Sequence, residues 1–523
     1  MAEGGLRGGE PSNRLMGPKA VLSVLNSVVG AVLGTAALVF IAKNMGPNVM
    51  GTLGFSMAAI GVLSFFSDFG ASSVHRMQVK SGADLGKCVG AYAAIKLVLL
   101  GIFAGLTILL VEFGEGGLMA GNPVVKDTLE VFLVYYLLLG VSQIATHTFE
   151  ATDSVAWVYT GSILELLVRV SFIIYVATSY LGKEDEAPAL LASSYVLGII
   201  AATILAAILM VRVQIKMPDR VILTKYMRSL APVFFVSMLL ILDLYLDKAV
   251  VGYFWGSTEV GLYFGVQKMA IFVSVFSLAL ASLILPSLTT YFTRNDVAAS
   301  WDLVNQAERY VSLIAIPTAA FYLTWGSQML RVFLTEEFAS AVSTMDVLVI
   351  TGTLVALVLP LRSAIAGVGS PRTLFWVGAG AIAIQIGLMA VLVPREFLGI
   401  HMFGLKGFGA ALSLLVASIY SFFLLRYMAW RTARIVPNSR SFIHLVSAVV
   451  MIGAMYVVDY LFIAVIDGVA LIVLAAVGVA SYVAAAYFFG ELEPSDYLYF
   501  RALLNPQNAI QYAVHELLGK RAH

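Results

Sequence analysis

Ten charged side chains stand inside, or close to the ends of, long apolar stretches of this sequence: Lys96, Arg169, Lys268, Lys248, Arg362, Arg309, Asp68, Glu165, Asp243 and Asp247. An ionisable group in hydrocarbon is costly, so its default reading is a functional group with a partner. Depth separates the cases. At about 1.5 Å per helical residue, Lys96 lies about eight residues into its stretch, Arg169 about fourteen, and Lys268 about eight from the far end of its own. These three are too deep to reach water by extending. Arg309, Arg362 and Lys248 lie near the ends of theirs, where a long side chain can snorkel. Asp68 also lies toward an end, as do His147 and Glu150. Glu165 and Arg169 are spaced i,i+4 on one helix face, which fits either a neutralising ion pair or a functional dyad. Asp243 and Asp247 share that spacing. Lys248 is turned about 100° from Asp247, so one face should not present both. Gln267 and Gln385 read as ordinary polar helix contacts.

The rest of the chemistry is sparse. Cys88 is the one cysteine, which excludes an intrachain disulfide and any CxxC site. The six histidines are scattered and form no HExxH, so no metal site is expected. A net charge of +1 gives no field for nucleic acid. No GxxxxGK[ST] loop is present. A driving force would be an ion gradient (Na+ or H+), the membrane potential or downstream consumption. A membrane glycosyltransferase would need a sizeable outside loop with catalytic residues, and the longest outside loops here are short. This economy favours moving something over reacting with it: no enzyme, no cofactor.

The elements that hold these charges are set by composition. Of 523 residues 60% are hydrophobic and 12% charged, with a mean hydropathy of +0.92. A soluble fold of that size could not cover its surface with so few charges. The expected fold class is an all-α polytopic membrane protein. A helix needs roughly 20 apolar residues to cross the bilayer, and about fourteen candidate transmembrane helices follow: 20–42, 51–74, 88–111, 128–149, 155–181, 189–211, 229–252, 260–290, 303–325, 339–369, 372–394, 406–428, 441–463 and 468–490. With the amino terminus inside, twenty of the 32 Lys and Arg fall in inside segments, such as Arg212, Lys216, Arg220, Lys225 and Arg228, and only six in outside ones. The positive-inside rule then puts both termini in the cytoplasm of a plasma-membrane protein. No cleavable signal peptide is read at the start.

An internal repeat organises the spans. Met45-Gly46-Pro47-Asn48-Val49-Met50-Gly51 matches Trp255-Gly256-Ser257-Thr258-Glu259-Val260-Gly261 at an offset of 210, pairing Gly46 with Gly256 and Gly51 with Gly261. Each stretch is the tight turn before an even-numbered span. Six spans of offset preserve orientation, so two six-helix lobes form parallel pseudo-repeats, plus two extra C-terminal helices. The expected layout is a tail at 1–19, an N-lobe at 20–211, a basic cytoplasmic linker at 212–228, a C-lobe at 229–428, spans 13–14 at 441–490 and a tail at 491–523 with a possible interfacial helix.

Several motifs carry a family resemblance over roughly residues 15–430. They are Met45-Gly46-Pro47-x-x-x-Gly51, Ser67-Asp68-Phe69-Gly70-Ala71 followed by Arg76, Asp247-Lys248 with Gly256-x-x-x-Val260-Gly261-x-Tyr263, Leu285-Pro286, and Gly404-Leu405-Lys406-Gly407-x-Gly409-Ala410. In order and spacing the chain resembles the polysaccharide-exporter branch of the multidrug/oligosaccharidyl-lipid/polysaccharide (MOP) flippase superfamily. The arginine-rich first spans of its lipid II flippase branch are not found. The resemblance implies a flippase for polyprenyl-(pyro)phosphate-linked oligosaccharide, working by alternating access around a cavity between two lobes. Its partners would be that lipid-linked oligosaccharide, membrane lipids, and glycosyltransferases or a polymerase of the same pathway. Lys96, Arg169 and Lys268 would then face the cavity and meet the phosphate, with Lys248, Arg362 and Arg309 as further candidates. Asp68, Glu165, Asp243 and Asp247 would serve as charge partners or a coupling site for Na+ or H+. The alternative is a cation-coupled exporter of small drugs using Asp243, Asp247 or Glu165.

Overall fold

The computed structural model describes residues 18–113, 122–183, 185–211, 213–275, 291, 297–367, 371–433, 435, 440–462, 467–492 and 496. They are helical almost throughout. The first half holds α1 (Pro18–Leu63), α2 (Ala71–Lys80), α3 (Leu85–Phe113), α4 (Pro123–Ala151), α5 (Val155–Ser179) and α6 (Ala187–Met210). The second holds α7 (Arg220–Trp255), α8 (Ser257–Ala270), α9 (Val297–Phe333), the single turn α10 (Glu336–Ala339), α11 (Val342–Gly367), α12 (Pro371–Leu392) and α13 (Lys406–Ala433). Two further helices, α14 (Ser441–Phe462) and α15 (Gly468–Phe488), pack on each other and on α9.

Among the described residues ten helices are long and apolar enough to cross a membrane, or eleven counting the bent α7. The chain is a multi-pass membrane protein. The difference from fourteen has identifiable sources. The first two expected spans follow each other without a loop: they are two helices that meet at a kink at Gly46, both within α1. Half of the eighth, 276–290, lies outside the described residues, as do Leu285-Pro286 and the tail beyond Asp496. Helix α9 interrupts its apolar run with Asp302, Glu308 and Arg309.

Local chemistry sets the element ends. Gly46 has φ 73° and ψ −179°, and Gly256 has φ 92° and ψ 179°. This region of the map is open essentially to glycine, and the two glycines matched by the repeat share it. The second expected span stops early, because the chain tightens into a 3-10 turn at Ser64–Ser67 and then takes positive φ at Phe69 (47°) and Gly70 (79°). Helix α7 starts at Arg220, not near 229, because the Asp219 carboxylate caps the Ile222 amide at 2.8 Å. It bends by 51° between Ala231 and Val233, where Pro232 has no N–H to give. Between α12 and α13 a hairpin pairs Glu396 with His401 and Phe397 with Ile400.

One apolar core runs through both halves, with Phe103, Phe132, Tyr263, Phe264 and Trp325 among its buried members. A smaller one gathers Ala71, Val74, Tyr92 and Tyr226 where α2 and α3 meet α7. Outward faces stay apolar, as at Leu97, Val98 and Ile102 on α3 and Val449, Val457 and Leu461 on α14. In water that would be a liability; in lipid it is the required surface.

Candidate functional site

The turn at Phe69-Gly70 aims Asp68 at α3. There Lys96 is fully buried and donates to Asp68 Oδ1 and to Gln143 Oε1, each at 2.8 Å, while Ser72 donates to Asp68 Oδ2 at 2.8 Å. Lys96 therefore does not face a hydrated cavity as expected. Its charge is matched inside the first half, because its stem reaches only as far as α4 and the turn. Beside it Arg76 donates to Glu150 at 2.8 Å, with His147 Nδ1 2.8 Å from Arg76 and 2.9 Å from Glu150. His75, wholly buried, joins Thr148 (3.0 Å) to Tyr226 of α7 (2.9 Å).

Lys248 and Asp247 depart from the expected geometry. Neighbours in sequence on different sides of α7, they bond to each other at 2.7 Å, because the four-carbon stem of Lys248 curls back. Lys248 also donates to Leu244 O (2.8 Å) and Gln267 (3.1 Å), and Asp247 accepts from Tyr263 (2.8 Å) and Gln267 (2.6 Å). Both are buried. Arg309 departs in another way. It does not snorkel but is buried against Glu491 (2.5 Å) and both oxygens of Asp496 (2.9 and 2.6 Å), which also accepts from Tyr310 at 2.9 Å. The neighbouring Glu308 takes Arg426 at 2.9 Å.

Three cations remain less committed. Arg169 has Glu165 at 3.3 Å and lies 4.7 Å over the Tyr195 ring. Lys268 lies 5.2 Å from the centre of the Phe264 ring and pairs with no carboxylate among the described residues. Lys248 and Asp247 of α7 and Arg169 of α5 are the charges that act on it. Arg362, exposed on α11, shares a pocket with Asp243, and among the described residues it closes no ion pair.

The sequence reading missed the surroundings of Arg169. In the first half Tyr135 makes edge contacts with both Tyr136 and Tyr195, and Tyr136 meets Tyr245 of α7 with ring centroids 6.5 Å apart. Next to them a cleft of about 270 Å³ has one polar wall, with Ser142, Gln143, Thr146, His147 and Glu165, and one apolar wall, with Leu205 and Leu209. The signal was available: Gln143, His147 and Glu150 recur every three or four residues along the mostly apolar second half of α4.

The two halves meet closely at one end. A Cβ on Gly51 would lie 1.7 Å from Ser257 O, and one on Gly261 1.8 Å from Pro47 O. At the other end the extended 213–219 segment crosses the start of α3, where Gly86 and Gly90 leave room for Gln214 O and Lys216 O. Lys216 bonds Asp84 at 2.8 Å, and Lys87 bonds Asp219 at 2.9 Å. The Lys216 ammonium holds the Asp84 carboxyl below the usual carboxylate range, and the Ile222 amide, then Lys87, do the same for Asp219.

A model of a family described as polysaccharide biosynthesis protein matches residues 18–292, more than half of the chain. Over 326 residues the chain is 22% identical to the probable low-salt glycan biosynthesis flippase Agl15 of Haloferax volcanii. That match takes in 60% of this chain and 64% of the relative, so less than two thirds of the relative's length is spanned. Among solved structures the chain is similar to the lipid II flippase MurJ in its inward closed conformation, with a TM-score of 0.69 at 12% identity, covering 90% of this chain and 98% of that one. It is also similar to an inward-facing multidrug resistance MATE transporter of the MOP superfamily, with a TM-score of 0.61 at 14% identity, covering 80% and 100%. At these identities the structural likeness is one of fold.

Proposed function

This chain belongs to the polysaccharide biosynthesis protein family, and we propose that, like the flippase and MOP-superfamily transporter whose folds it shares, it is a transporter: it flips a lipid-linked oligosaccharide from one membrane leaflet to the other. The glycan would ride on a polyprenyl phosphate or pyrophosphate. Glycosyltransferases would supply it, and a polymerase or transferase would consume it. The positive-inside bias puts the 213–219 segment in the cytoplasm and the Gly46 and Gly256 turns outside, in the plasma membrane.

One observation supports this reading: each half holds a cation short of counter-charge, Lys268 over the Phe264 ring without a carboxylate partner among the described residues and Arg169 with Glu165 at 3.3 Å. A cation short of counter-charge away from bulk water is costly, and a bound anion relieves that cost. A phosphate headgroup is such an anion. Lys offers it a point charge that binds without the fixed fork of Arg, which suits a site that must also release. When the phosphate takes Arg169, the Glu165 carboxylate 3.3 Å away loses its partner and becomes able to take a proton or Na+. Coupling would follow from that exchange.

The test is transport of a polyprenyl-pyrophosphate oligosaccharide by the full chain in proteoliposomes. Lys268→Gln should slow it about tenfold or more, the loss of one charge-assisted contact of about 1.5–3 kcal/mol, with thermal stability unchanged. Lys268→Arg should keep more activity than Lys268→Gln. A wild-type rate in Lys268→Gln would sink the reading.

A further inference from the structure

A second pocket, of about 70 Å³, lies wholly in the C-terminal half between α7, α11, α12 and α13. Its polar lining is Asp243, Arg362, Gln385, Ser418 and Ser421, with apolar residues such as Val358 and Leu414 around them. Gln385 is 1% exposed, yet among the described residues its amide nitrogen has no hydrogen-bond partner. Asp243 and Arg362 both line it, both are exposed, and among the described residues they form no ion pair with each other. Buried polar groups are normally satisfied, so a buried amide left idle calls for an occupant.

The lining decides the chemistry of that occupant. Arg362, the Gln385 amide and the two serines offer donors, and Asp243 only accepts. A plain anion would suit Arg362 but face the Asp243 carboxylate. A metal cation would suit Asp243 but face the guanidinium. A hydroxyl serves both, since its oxygen accepts and its hydrogen donates. Neighbouring hydroxyls on a sugar ring repeat that pattern, and a pocket this small admits one edge of a ring.

We propose that the Asp243–Arg362–Gln385 pocket is a sugar-hydroxyl subsite that reads the glycan of the transported lipid. The inference rests on the flippase reading above and adds to it where the sugar is held, apart from the phosphate at Arg169 and Lys268.

The test compares two probes on the purified full chain in detergent: a short polyprenyl phosphate, and the same lipid carrying one hexose. The wild-type chain should bind the hexosylated lipid about tenfold more tightly, the worth of one or two net hydrogen bonds. Gln385→Leu, close in size and unchanged in charge, should bring that ratio toward one while leaving the bare lipid's affinity as it was. Arg362→Gln should do the same. A ratio that persists in both variants overturns the subsite, and so does a wild-type chain without preference, whose pocket then holds water alone. A wild-type chain that binds neither lipid refutes the flippase reading itself, and the subsite falls with it.

Discussion

Gly51 and Gly261 lie against each other across the junction of the two halves: a Cβ on Gly51 would stand 2.7 Å from the Gly261 nitrogen, and one on Gly261 would stand 3.0 Å from the Gly51 nitrogen. These residues are also partners in the 210-residue repeat. A contact between equivalent positions is what a two-fold axis running between the halves produces. Any side chain at either position must push backbone, not a flexible side chain.

Gly51→Leu or Gly261→Leu should therefore part the halves at this end. Overpacking of this kind costs about 1–3 kcal/mol, and transport should fall severalfold or more. Gly30→Leu and Gly34→Leu, where a Cβ meets nothing within 4 Å, should leave both transport and melting temperature near wild type. Equal behaviour of the two pairs would contradict the close seam.

Lys96 and Asp68 should behave as a structural pair. Removing one partner, as in Lys96→Met, leaves a buried charge and should destabilise by about 3–5 kcal/mol. The double change Lys96→Met with Asp68→Leu should recover much of that loss. Thermal unfolding of the four proteins in detergent checks it. Strict additivity of the single effects would show that the bond seen here contributes nothing.

Arg309→Gln should loosen the tail from α9, with a loss of about 3–5 kcal/mol for a broken buried pair. Protease cleavage near Glu491 should become faster in this variant. An unchanged cleavage rate would mean that the clamp does not hold the tail.

The crossing of the 213–219 segment over α3 should resist mild acid. Asp84 and Asp219 have folded pKa values lowered below 3.8. A lowered acid contributes stability above its unfolded pKa and loses it as pH falls through the folded one. The Lys216–Asp84 and Lys87–Asp219 pairs should thus be indifferent to pH between 5 and 8 and weaken only below about pH 4. Both are exposed, so added salt should weaken them as well. Crosslinking between positions 84 and 216 across pH and salt measures this; a midpoint near neutrality would refute it.

The membrane class, the helical repeat and the glycines at its turns were legible, because hydropathy and a glycine-only backbone conformation leave marks on the sequence itself. Which charges stay unpaired was not. Lys96 meets Asp68 at 28 residues' separation and Arg309 meets Asp496 at 187, and no spacing rule reaches that far. The Lys248–Asp247 bond escaped for the opposite reason: helix geometry places the backbone positions, and a long flexible side chain overrides it. Glu165–Arg169 was readable because i,i+4 is a local rule.

The clamp on Arg309 has a consequence for how the protein is made. Arg309 emerges from the ribosome 182 residues before Glu491 and 187 before Asp496. At about 5–20 residues per second, it waits roughly 10–40 s for its partners. Through that interval the buried end of α9 must keep its charge hydrated or borrow other company. The second half therefore cannot reach its final packing until Glu491 and Asp496 have been made, so the closing of α9 waits on residues far downstream of it.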